Sequence, residues 1–199
     1  GKNNRPKAAV VVLLGQSNNA PRGTAISGTV SRDVYMPVGG NSIAYFAYHS
    51  TNVEWAMRWS DLATAVQHQE GTGETPCSGV AVGLLGAKYP RVYICSAAIG
   101  ARALSTLNTD GPCSNMYGVI IRLCDLARAD GYEPEVMFDV HHGEADASAG
   151  TSENDYYDLG MAYYGQARSF ASRTMGVPDY DAPMVFHMPT AYSITGMHD

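Results

Sequence analysis

Apolar and polar positions along this chain fall into blocks of two kinds. Residues 8–14 form an unbroken apolar run, Ala8 to Leu14, rich in β-branched valine. Such a run predicts a strand buried on both faces. Arg91–Ser96, Glu135–His141 and Pro183–Met188 repeat the theme and predict three more strands. Between them the period lengthens to that of a helix. Residues 60–70 carry Ser60 as N-cap and Gly71 as stop, and Ser78–Lys88 is a small-residue helix ended by Pro90. Residues 114–130 place Tyr117, Ile120, Ile121, Leu123, Cys124 and Ala127 on one face, with Gly131 as terminator. Residues 152–175 open on Ser152-x-x-Asp155, similar to a capping box, with Tyr156, Leu159, Tyr163 and Phe170 toward the core. Strands alternating with helices predict an α/β fold: a three-layer α/β/α arrangement around a central parallel sheet.

The remaining stretches read as loops. Residues 15–32 are rich in Gly, Ser, Asn and Thr, and residues 33–38 allow an edge strand interrupted by Pro37. Residues 39–57 carry Tyr45, Phe46, Tyr48, His49 and Trp55. They read equally well as aromatic packing under a long loop and as a wall on which sugar rings stack.

Composition narrows the field. A chain of 199 residues with 45% hydrophobic content can bury a sizeable core. The net charge of -6 with scattered basic residues argues against nucleic acid as a partner. No apolar run approaches the length of a membrane span. The cysteines Cys77, Cys95, Cys113 and Cys124 form no C-x-x-C pair, which argues against zinc. Cys77 and Cys113 lie in loop-like stretches and can pair. The chain opens on Gly1 without an initiator methionine or signal peptide, as a mature product, a trimmed chain or an excised domain would.

Candidate chemistry gathers after three predicted strands. Gly15-Gln16-Ser17-Asn18 follows the first, Ala98-Ile99-Gly100 the second, and His142-Gly143-Glu144-Ala145-Asp146 the third. In a parallel sheet these ends share one edge, where α/β folds bind their ligands. By itself Ser17 reads as a turn residue or helix cap. Set among these ends, its hydroxyl becomes a candidate nucleophile for acyl transfer, with backbone N–H groups of Ser17 and Gly100 as oxyanion donors. Glu144 and Asp146 read first as acceptors that hold the loop, rather than as a glycosidase pair.

These three segments resemble the SGNH-hydrolase superfamily, and within it the sialate O-acetylesterase and carbohydrate acetylesterase branch, over residues 8 to about 190. That branch shows G-Q-S-N, I-G-G-T-like and W-x-Q-G-E-x-D blocks. The resemblance implies removal of acetyl groups from sugar hydroxyls through an acyl-enzyme on Ser17. It implies no metal and no organic cofactor. His142 stands where the family has its oxyanion-donor glutamine, and a neutral histidine still offers one N–H. Asn18, Arg102 and Glu144 are the expected substrate-binding residues. Ala101 replaces the second glycine of the middle block.

The family's late D-x-x-H segment has no counterpart after Pro183–Met188. Asp139-Val140-His141-His142 has the spacing, but residues three apart on a strand point to opposite faces, so it reads as coincidence. His198, His142 and His187 are the histidines left to act as base, with His198 foremost. His187 alternates with Val185 and reads first as a core or sheet-surface histidine. The chain is therefore expected to be one SGNH-like domain, residues 1–199, whose last strand and helix are absent or supplied by a further segment or chain. Its expected partner is an acetylated carbohydrate, with no nucleic acid and no membrane. A polysaccharide substrate would suit an extracellular or virion-associated setting. Two other functions fit the same residues: a non-catalytic sugar-binding domain of this fold, and an esterase for non-sugar esters.

Overall fold

The computed structural model describes residues 5–15, 43–49, 52–59, 80, 83–84 and 89–187. For the second and third of these segments it describes the backbone alone. Strands are β1 (Lys7–Gly15), β2 (Ile43–His49), β3 (Asn52–Trp59), β4 (Val92–Ser96), β5 (Glu133–His141) and β6 (Met184–His187). Helices are α1 (Leu104–Leu107), α2 (Asp110–Ala129), α3 (Glu144–Ala149) and α4 (Glu153–Met175). Val80, Gly83 and Leu84 are also helical, inside the stretch predicted for Ser78–Lys88. The predictions over residues 15–32 (beyond Gly15), 33–38 and 60–70 lie outside the described residues.

Among the described residues the sheet has six strands in the order β3-β2-β4-β1-β5-β6. The β2, β4, β1, β5 and β6 strands are mutually parallel, and β3 runs antiparallel to β2 at one edge. The fold is α/β and three-layered, as the alternation of strand and helix predicts. It differs in the 39–57 stretch, where two strands of a hairpin stand in place of a long loop. Aromatic residues favour strands, and that propensity is the local cause the loop reading left out.

The central strand is β1. All residues from Ala8 to Gly15 are buried, those of both faces of the strand alike. Val10, Val12 and Leu14 face the core built by α2 and α4, while Ala9, Val11 and Leu13 are buried on the opposite face. Helix α2 presents Cys113, Met116, Val119, Ile120, Leu123, Cys124 and Ala127 at helical spacing. It starts at Asp110, four residues before the predicted 114. Cys113 is thus a buried thiol of the first turn, donating to the Leu107 carbonyl at 3.4 Å, and not a loop residue. Its expected partner Cys77 lies outside the described residues. Helix α4 approaches through the narrow stripe Gly160, Tyr163, Ala167 and Ala171. Ser152 caps it by accepting the Asp155 N–H at 3.2 Å, and Gly176 ends it in the left-handed conformation.

The chain crosses from one side of β1 to the other between β4 and β5. That reversal of strand order makes the carboxyl end of β1 a topological switch point, where open α/β sheets bind their ligands.

Candidate active site

Gly15 closes β1 with a φ of 106°. A Cβ there would collide with the His141 carbonyl of β5, so only glycine allows this approach. Its carbonyl accepts the Ile99 N–H at 3.0 Å, and the Leu13 carbonyl accepts the Ala97 N–H at 2.8 Å. The ladder between β1 and β4 is thereby prolonged into the Ala98-Ile99-Gly100 turn. Gly100 is half-buried beside it. Ala101 has a φ of 56°, so the backbone keeps the left-handed shape expected of glycine although alanine occupies it.

The third strand end is bound to this turn. His142 Nε2 donates to the Arg102 carbonyl at 3.0 Å. The Tyr156 hydroxyl faces Nδ1 at 3.5 Å, with its ring stacked 6.0 Å away. Burial holds the His142 ring below the ordinary histidine range, hence neutral. Its single N–H is therefore engaged by Arg102, whereas the sequence reading expected it to face an oxyanion. The 3.5 Å approach of Asp146 Oδ2 to the same nitrogen is at the outer limit of a contact, and the neutral ring makes it no ion pair.

Asp146 is buried and fully employed. Oδ2 accepts the Leu104 N–H at 2.9 Å, and Oδ1 accepts the Thr151 hydroxyl at 3.1 Å. Ala103, the residue preceding α1, makes no side-chain cap. Asp146 caps that helix from 42 residues away. This is the loop-holding role expected of it from sequence. Glu144 starts α3 and lies 3.4 Å from His141 Nε2. Arg102 is exposed at the turn.

One cluster was not singled out as a unit from the sequence. Asp139 Oδ2 accepts from His187 Nε2 at 2.9 Å. Asp139 is opposite Val185 and His141 is opposite His187 in the β5–β6 register. Side chains at such positions share one face, and the two imidazoles stack with centroids 6.0 Å apart. Gly15 of β1 is opposite His141 in turn. Gly15, His141 and His187 therefore stand in one row across three strands at the carboxyl edge. The D-x-x-H spacing is coincidence, as read: Asp139 pairs with His187, while His142 turns to the side of Val140 and α4. Ser17, Asn18 and His198 lie outside the described residues.

Among the described residues no group of three or more His, Cys, Asp or Glu side chains is arranged to hold a metal ion.

None of the protein-family profiles matches the chain, and no curated protein matches it. Two solved structures are similar in fold. One is a carbohydrate acetylesterase from Xanthomonas citri, 14% identical with a TM-score of 0.48, covering 89% of this chain. The chain spans 40% of that protein's length. The other is a protein from Arabidopsis thaliana, 15% identical with a TM-score of 0.45, covering 92% of this chain and 88% of its own.

Proposed function

We propose that this protein is a serine esterase that removes O-acetyl groups from a carbohydrate. The observation that carries the reading is the union of the three strand ends. Ile99 binds Gly15, His142 binds Arg102, and Asp146 binds Leu104. The ends of β1, β4 and β5 at Gly15, Gly100 and Gly143-Glu144 thus lie together at the switch point of the sheet, and Ser17 follows Gly15 by two residues in the sequence.

In this reading Ser17, two residues beyond Gly15 in the sequence, attacks the acetyl carbonyl carbon. The N–H groups of Ser17 and Gly100 receive the oxyanion. Asn18, Arg102 and Glu144 orient the sugar. The acetyl group resides on Ser17 until water releases it as acetate.

The test is hydrolysis of a chromogenic acetate ester and of an O-acetylated polysaccharide by the full chain and by Ser17→Ala. Loss of acetate release in a folded variant is the expected result. Equal, near-background rates in both proteins, with sugar binding retained, would replace the esterase by a binding domain.

A further inference from the structure

We propose that one flank of α4, with Phe186 of β6 beside it, is the contact surface of a two-fold dimer of this chain. The inference is independent of the esterase reading.

Exposure comes first. Of the five large hydrophobic side chains that are exposed among the described residues, three fall on this flank: Tyr157 at 64%, Met161 at 58% and Phe186 at 50%. Tyr157 and Met161 are four residues apart and Met161 and Tyr164 three, so all three side chains lie along one stripe of the helix. Half-buried Tyr164 meets Phe186 edge-on, with ring centroids 4.9 Å apart. The four side chains therefore form one continuous apolar surface. It is distinct from the stripe of Gly160, Tyr163, Ala167 and Ala171 by which α4 meets the core. Contiguity separates such a surface from apolar residues exposed singly, and marks it as a site of association.

Charge then selects the occupant. Exposed Glu153 stands one turn before Tyr157 on the same stripe, and exposed Arg168 one turn beyond Tyr164. The stripe thus reads acid, apolar, base over about 22 Å at the helical rise. Consider a second α4 laid antiparallel on it, with the two-fold axis between positions 162 and 163. Met161 then faces Tyr164 of the second copy, and Tyr157 faces Arg168 of the second copy. Each guanidinium lies against an aromatic ring, within one turn of the opposing Glu153 carboxylate. A parallel arrangement would instead set Arg168 against Arg168 and Glu153 against Glu153. The stripe is therefore complementary to itself in the antiparallel sense, which is the condition for a two-fold interface in which one patch serves both copies. A contact of this length belongs at the small end of specific interfaces, so the dimer is expected to exchange with monomer at a Kd on the order of 10–100 µM.

The experiment is sedimentation equilibrium of the full chain from about 10 µM to about 1 mM, a range that covers weak association. Every variant is checked for native circular dichroism and thermal midpoint. The wild-type chain is expected to pass from monomer to dimer across that range. Met161→Glu is expected to weaken association about 100-fold, tenfold for each of the two copies. Arg168→Glu sets acid against Glu153 of the second copy and is expected to weaken association about tenfold. Combining it with Glu153→Arg is expected to restore most of the loss, because the exchanged charges again face each other. An apolar contact without this register would show no such recovery. A wild-type chain that stays monomeric at the highest concentration overturns the proposal and leaves the stripe to a different protein. A dimer that Met161→Glu does not weaken overturns it too, since association then uses another face. A charge exchange that restores nothing overturns the antiparallel arrangement.

Discussion

Two histidine–carboxylate contacts lie within a few residues of each other at the end of β5, and their surroundings are opposite. His142 and Asp146 lie on the side of α4, sealed from solvent, with their hydrogen bonds directed at the backbone of the Arg102–Leu104 turn. Asp139 and His187 lie on the other face, with the imidazole half exposed. A one-residue step along a strand reverses the face, so His141 and His142 go to different environments. What separates the two histidines is neither the residue type nor the nearby carboxylate. It is burial: the His142 side chain is 1% exposed and that of His187 48%.

The most severe way to break the comparison is to remove the buried carboxylate. Asp146→Ala strands the Leu104 N–H without its acceptor, and is expected to cost about 2–3 kcal/mol. His187→Ala, on an exposed edge-strand position, is expected to cost under about 1 kcal/mol. Urea denaturation of both variants checks the pair of values. Equal losses would mean that the two contacts are structural alike.

A pH series sharpens the same contrast. Burial depresses the His142 pKa in the folded state, so the unfolded chain binds that proton more readily. Stability from this group is therefore fully present above about pH 6.5, the ordinary histidine value, and is lost as pH falls toward the depressed folded value. The slope is at most about 1.4 kcal/mol per pH unit for one proton. His142→Gln retains an N–H donor for Arg102 but cannot titrate. Its thermal unfolding is expected to lack this component between pH 7 and 5, and identical pH profiles for the two proteins would contradict neutral burial of His142.

The smallest effect concerns the turn that this contact holds. Ala101 occupies a left-handed backbone conformation that disfavours a Cβ. Ala101→Gly is expected to stabilise the chain by about 0.5–1 kcal/mol, after allowing for the greater freedom of glycine in the unfolded state. A rise in the urea midpoint at unchanged slope is the measurement that checks it.

Much of this architecture is legible in the sequence where one local cause dominates. The apolar run from Ala8 to Leu14 is such a case, and so is Ser152-x-x-Asp155 at the start of α4. Misreadings arose where two causes compete. Gly111 and Pro112 look like breakers, yet a proline in the first turn removes an N–H that has no intrahelical partner, and α2 begins at Asp110. The stretch from 39 to 57 reads as a long loop and instead contributes the antiparallel strands β2 and β3. For the candidate site, the shared edge of the three strand ends followed from the parallel sheet that strand–helix alternation predicts, and Asp146 as a loop holder followed from its place after a strand. The Asp139–His187 pairing did not. It depends on the register between β5 and β6, joins residues 48 apart in the sequence, and is encoded by no local spacing.

The distant cap on α1 also fixes when the turn after β4 can form during folding. Four residues make a helix too short to persist by itself, and α1 has no cap from its own neighbours. Its acceptor arrives only after α2, β5 and the first turn of α3 have been placed, because Asp146 is 42 residues downstream. The turn over β4 is thus assembled in the same cooperative step as the sheet, and it cannot open without cost to the rest. Amide hydrogen exchange at Leu104 should accordingly be as slow as at the central strand, and report global unfolding rather than a local fluctuation.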